Sequence, residues 1–150
     1  DDEAYEAEFV FTHMQLGEAY QVGPMTIRPY RALHPVEAFG LRIEGPSEDD
    51  PERLVSLFYT GDTDLCDTII EGARGVDVLL SEVGFTSDET EPDMHMDGVR
   101  AGEVATRAGV ARMIATHIQP WTPRDRVASE VRQTWSGPLD FATSGMQVSL

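Results

Sequence analysis

Three polar residues stand where apolar, β-prone runs stop. His34 follows Tyr30–Leu33, Asp62 follows Leu57-Phe-Tyr-Thr-Gly61, and His117 follows Met113-Ile-Ala-Thr116. In open α/β sheets ligands gather outside strand ends, and loops carry the chemistry. Imidazole and carboxylate in one place are the donors that zinc, manganese or iron takes. A fourth candidate, His95, lies in an acidic stretch ahead of a helical segment, where a cap or loop role competes with a functional one. A lone histidine at a strand end is more often a satisfied loop residue, and Asp62 after Gly61 suits an Asx-turn. No local metal pattern such as His-Glu-x-x-His occurs, so spacing alone leaves both readings standing. His13, in Phe-Thr-His-Met-Gln, has no partner at metal spacing and reads as a surface or strand histidine. Cys66 sits at a helix start among Leu65 and Ile69, where a small buried residue is the ordinary reading and a nucleophile is not. Trp121 and Phe39 read equally as core packing or as aromatic walls of a site mouth that stack on a base.

The elements that must position these residues change character along the chain. The first sixty residues read as β. Phe9–Met14 is a short β-prone run. Tyr20–Val22 and Met25–Leu33 flank Gly23-Pro24, which suits a turn between antiparallel strands. Pro29 marks the second run as an edge strand or a bulge. Phe39–Ile43 and Leu54–Tyr59 continue the sheet. After Gly61, helix and strand alternate. Thr63 or Asp64 can cap a helix carrying Leu65, Ile69 and Ile70, ended by Gly72 and Gly75. Val76–Leu80 reads as a strand buried on both faces. Asp97 suits the cap of a helix through Ala108, with Gly109 at C′ and a small-residue face of Ala101, Val104, Ala105 and Ala108. Met113–Ala115 is the next strand. Thr122-Pro123 predicts a cap and a first-turn proline, with Val127, Val131 and Trp135 facing inward. Leu139–Ala142 and Met146–Val148 read as the last strands. A β-rich start followed by β-α-β-α implies an α/β fold, a mixed sheet with at least three helices packed on one face.

Composition removes several functions. The chain has 150 residues, 27 acidic against 11 basic, a formal net charge of −16, and every basic residue is arginine. That balance argues against a phosphate-backbone binder and against docking on anionic lipid. Residues 1–8, 48–52 and 88–97 hold about half of the acids; the first two stretches read as solvated loops. Apolar residues make up 41 %, enough for a core. No apolar run approaches the ~20 residues of a membrane span, and the start lacks the features of a signal peptide. Cys66 is the one cysteine. A cytoplasmic protein is the expectation.

The segments Leu33-His-Pro-Val-Glu-Ala-Phe-Gly-Leu-Arg-Ile43, Tyr59-Thr-Gly-Asp-Thr63, Leu79-Leu-Ser-Glu-Val-Gly-Phe85, His95–Ala105 and Ala115-Thr-His-Ile118 follow in that order. From about Gly23 onward the chain closely resembles the C-terminal half of the metallo-β-lactamase superfamily, in its phosphodiesterase and ribonuclease Z branch. Gly61-Asp-Thr-Asp-Leu-Cys-Asp67 and Thr116-His-Ile-Gln-Pro-Trp-Thr122 look most like the atypical class II cyclic-AMP phosphodiesterases. The resemblance implies that His34 ligates one metal, His117 ligates a second and Asp62 bridges both. It implies that His95 is a non-ligand that assists proton transfer, and that Glu82 is a carboxylate able to orient it.

The family's first metal motif, His-x-His-x-Asp-His, is absent. Residues 1–150 therefore look like the second half of a single αββα sandwich domain, whose N-terminal half is not present and would have to cover one sheet face. The implied function is a phosphodiesterase hydrolysing 3′,5′-cyclic nucleotides, cyclic AMP in particular, through a hydroxide held by two divalent metal ions. Zinc is the expected metal, with manganese or iron as alternatives. The expected partners are a small phosphodiester substrate and the missing half-domain, with a homodimer as a further option; substrate-binding residues stay unassigned. Alone, the chain is expected to be inactive. Ribonuclease Z-like RNA 3′-processing, another hydrolase of this fold and a non-catalytic half-domain are the alternatives. The RNA role is disfavoured because only 28 residues separate His34 from Asp62, with an acidic loop in place of a tRNA-gripping insertion.

Overall fold

Gly23, at φ 57°, reverses the chain between β1 (Tyr20–Val22) and β2 (Met25–Arg31), as the Gly23-Pro24 pair predicts. The computed structural model describes Val10 and residues 12–89 and 91–150. β3 (Phe39–Pro46) and β4 (Leu54–Tyr59) extend the antiparallel part, and β5 (Val78–Glu82), β6 (Arg112–Thr116) and β7 (Leu139–Phe141) add parallel strands. Among the described residues, spatial order follows chain order across the seven strands. β2, β4, β5 and β6 therefore run the same way and end at one edge. Pro29 pairs with Leu41 of β3, while β1 reaches only to Ile27, so beside Pro29 the strand is a local edge among the described residues.

The three crossovers carry α1 (Asp67–Gly72), α2 (Gly98–Ala108) and α3 (Arg124–Val131). Phe58, Leu79, Met113 and Ala115 pack on one sheet face with Ile69, Val104, Ala105, Val127 and Val131, so the helices share that face as expected. The alternate residues Leu57, Val78, Leu80 and Ile114 point the other way, because strand side chains alternate. With Met146, Val148 and Leu150 they line an apolar cleft of about 260 Å³. The chain end is held there by the Ser47 hydroxyl and the Glu48 N–H, which donate to the Leu150 carbonyl. α2 follows its sequence signals closely. The Asp97 carboxylate accepts the Arg100 N–H, and Gly109 takes the left-handed conformation at the far end.

Other expectations are corrected. Residues 1–8, Phe9, Phe11 and Thr90 lie outside the described residues, and Thr12–Met14 forms no strand. α1 is not capped by Thr63 or Asp64; it starts at Asp67 behind Cys66, without a side-chain cap. Those two side chains are already committed, Thr63 to the Leu33 N–H and the Asp64 carbonyl, Asp64 to Leu65, Asp93 and Arg100. α3 likewise lacks the Thr122 cap: Pro123 precedes the helix rather than opening it. β5 lies two residues later than the apolar run suggests. Met146–Val148 pairs with no strand and lies along the cleft instead. No helix among the described residues is long and apolar enough to cross a membrane.

Candidate metal centre

A short bridge brings the first two candidates together. Leu33 donates its N–H to Thr63 Oγ1 at 3.0 Å and accepts the Asp64 N–H at 2.8 Å, so the residue after Leu33 and the residue before Thr63 lie side by side. Those are His34 and Asp62. Gly61 makes the turn into Asp62 at φ 60°, and a Cβ there would stand 2.6 Å from the Phe39 carbonyl oxygen. His117 leaves the end of β6 at φ 57°, a left-handed conformation costly for a residue with a side chain. Such strain concentrates at functional sites. It places His117 Nδ1 at 3.4 Å from Asp62 Oδ1.

His95 arrives from the loop between β5 and α2. Its neighbour Met96 is fully buried and accepts the Phe85 N–H, which closes the loop. Gly84 is needed opposite: a Cβ there would lie 2.9 Å from His95 Cγ. The His95 ring centroid stands 5.6 Å from that of His34, 5.1 Å from that of His117 and 5.0 Å from that of Phe85. His34, Asp62, His95 and His117 therefore converge at one strand edge, as anticipated, and Glu82 lies beneath them.

Glu82 is fully buried. Its Oε1 accepts the Thr63 N–H at 2.9 Å and meets His95 Nδ1 at 2.9 Å; its Oε2 accepts the Gly84 N–H at 2.7 Å. Burial pushes its carboxyl above the ordinary value, partly opposed by the bonds from Thr63, His95 and Gly84. Tyr59 is raised as well, first by burial and then by the nearby carboxylates of Asp62 and Glu82.

Donor atoms of His34, Asp62 and His95 lie within 4.8 Å of one another, as do those of Glu82, His95 and His117. Glu82 is a poor ligand despite that proximity, because both its oxygens are spent on buried donors. His95 has Nδ1 engaged and only Nε2 to offer. His34 and Asp62 share the first group, His117 Nδ1 reaches Asp62 Oδ1, and imidazoles with a carboxylate suit divalent zinc, manganese or iron. His13 is exposed and belongs to neither group, and Cys66 is a half-buried residue bonded to Thr68. Trp121 lines a cleft with Phe85 and Gln119, whereas Phe39 does not.

Two further carboxylates support the site. Asp64, buried and paired with Arg100 at 2.8 Å, accepts the Asp93 N–H and so ties the Asp62 segment to the His95 loop. Glu130 of α3, also buried, accepts the N–H groups of Ser87 and Gly98, one at each end of that loop. A carboxylate next to Val131 on the inward side of α3 was the available signal for Glu130. Nothing in the spacing distinguished Asp64 from a helix cap.

The profile of the Beta-lactamase superfamily domain matches residues 3–118. An uncharacterized protein of Mycobacterium tuberculosis is 45 % identical over 85 % of this chain and 45 % of its own length. The probable metallo-hydrolase YhfI of Bacillus subtilis is 30 % identical over 89 % of this chain and 54 % of its own. The crystal structure of YhfI, a metallo-beta-lactamase fold protein, superposes with a TM-score of 0.80 at 27 % identity, covering 97 % of this chain and 60 % of that one. A ribonuclease Z of Myxococcus xanthus is 29 % identical over 93 % of this chain and 43 % of its own length. The chain thus spans about half the length of the curated relatives it matches.

Proposed function

This chain belongs to the β-lactamase superfamily, and we propose that it forms the C-terminal half of a metal-dependent phosphodiesterase domain acting on 3′,5′-cyclic nucleotides, cyclic AMP foremost. The convergence of His34, Asp62, His95 and His117 over a buried Glu82 carries the reading. His34, Asp62 and His117 would hold divalent ions, zinc first among the candidates. The remaining ligands would come from a segment corresponding to the N-terminal halves of the relatives, docked on the sheet face of Leu57, Leu80 and Ile114. Bound there, such ions lower the pKa of water and neutralise phosphoryl charge.

The chain's own residues do the rest. Glu82 fixes the ring of His95 by accepting from Nδ1, which leaves Nε2 directed at the site. A proton held on Nε2 passes to the departing ribose oxygen, a general-acid step typically worth about 10²–10⁴-fold. Asp64 and Glu130 keep the His95 loop in register with Asp62, since proton delivery tolerates little displacement. A cytoplasmic location belongs to this proposal.

The likeness to ribonuclease Z favours RNA 3′-processing as a second reading. A charge of −16 and a short acidic connection between His34 and Asp62 weigh against it.

In the complete protein, Asp62→Ala should lose metal and hydrolysis together. His95→Ala should keep metal and lower kcat. A nitrophenyl phosphodiester leaves without an acid's help, so His95→Ala should lose far less rate on it than on cyclic AMP. Equal losses would remove the general-acid role from His95, and hydrolysis retained by Asp62→Ala would end the metal-centre reading.

A further inference from the structure

Trp121 is 74 % exposed, while Trp135 packs against the core. The Trp121 indole therefore offers a π-face to solvent beside the candidate site. The loop that carries it is ordered: the Thr122 N–H donates to the Gln119 carbonyl at 2.9 Å, fixing Trp121 in a turn that begins two residues after His117. Trp121 lines a cleft of about 260 Å³ with Gly84, Phe85, Glu89 and Gln119. Phe85 also packs edge-on against His95, at 82° between ring planes. The cleft therefore shares one wall with His95 and the other with the loop of His117.

We propose that this cleft is a nucleobase subsite, in which the base of a small nucleotide phosphodiester stacks on Trp121 and meets the Gln119 amide along its edge. The inference rests on the phosphodiesterase reading of the metal centre. Aromatic rings stack on any base, because every base has a π-face. The Gln119 side chain makes no hydrogen bond among the described residues, so its amide has both a donor and an acceptor to offer. Glu89 binds the Thr86 hydroxyl through Oε2, leaving Oε1 to accept from an exocyclic amine at the rim. The volume lies just below the usual range for clefts that enclose whole small-molecule ligands, which suits one base and not a run of nucleotides. The carboxylate of Glu89 in the cleft lining repels a polyanion and tolerates a neutral base.

The complete, metal-loaded protein is assayed with cyclic AMP and with the base-free methyl riboside 3′,5′-cyclic phosphate. Trp121→Ala should raise KM for cyclic AMP by about 5- to 150-fold, the equivalent of one stacked base, with kcat nearly unchanged. KM for the base-free compound should not move, and Trp121→Phe should restore most of the affinity for cyclic AMP. Because Trp121 is exposed, neither substitution threatens the fold. Equal KM changes on both compounds, or none on either, would overturn the subsite and leave the phosphodiesterase reading intact. Quenching of Trp121 fluorescence by adenosine 5′-monophosphate but not by ribose 5-phosphate, in a protein that hydrolyses no phosphodiester, would uphold the subsite and sink the reading beneath it. A preference for a short oligoribonucleotide over cyclic AMP would overturn the commitment to a single base.

Discussion

Replacing Glu82 tests the support of the candidate site directly. Its carboxylate, 0 % exposed, is the acceptor for the buried Thr63 and Gly84 N–H groups. Glu82→Ala orphans both. At about 1–3 kcal/mol for each unsatisfied buried donor, the loss should be roughly 2–6 kcal/mol. Glu82→Gln keeps one acceptor and turns an NH₂ toward the other donor, so the loss should be about 1–3 kcal/mol. For a chain of this size that lowers Tm by roughly 2–12 °C. The pH dependence supplies a second signature. Burial raises the Glu82 pKa above 4.5, so the folded chain holds this proton more tightly than the unfolded one. The stability so gained is full below pH 4.5 and is lost as pH rises through the folded pKa. Glu82→Gln lacks that titration, so its deficit against the parent chain should be largest in acid and shrink as pH rises. Urea melts of the parent and both variants across that range provide the assay. Unchanged midpoints for both variants, or a deficit independent of pH, would refute the argument.

Four further outcomes follow from the packing. Gly98→Ala should cost about 1–3 kcal/mol, because its Cβ would stand 2.7 Å from Glu130 Cβ; a urea midpoint measures it. Asp97→Ala should cost about 0.5–2 kcal/mol through loss of the α2 cap, visible as a lower Tm. Glu130→Ala should speed amide hydrogen exchange at Ser87 and Gly98 while leaving α1 protected, since it releases both ends of the His95 loop. The isolated 150 residues should bind zinc weakly by calorimetry, and co-expression with the N-terminal half should restore stoichiometric metal.

Much of this protein was legible locally. Asp97 and Gly109 marked both ends of α2 because caps are satisfied within one turn of helix. Gly23-Pro24 marked its turn because φ there is set by the residues themselves. The succession of apolar runs and the polar residues at their ends located His34, Asp62 and His117, and the order of motifs around them pointed to the family.

Tertiary structure decided what those residues face. Thr63 and Asp64 have the chemistry of helix caps, yet sheet closure offered them Leu33, Asp93 and Arg100, and those partners won. Met146–Val148 has strand propensity, but the open sheet face drew it into a cleft. The Glu82–His95 contact joins residues 13 apart, and Glu130 reaches Ser87 across 43 positions. A carboxylate's partners depend on which buried donors the fold leaves nearest to it, and only the assembled sheet brings those donors within hydrogen-bonding distance.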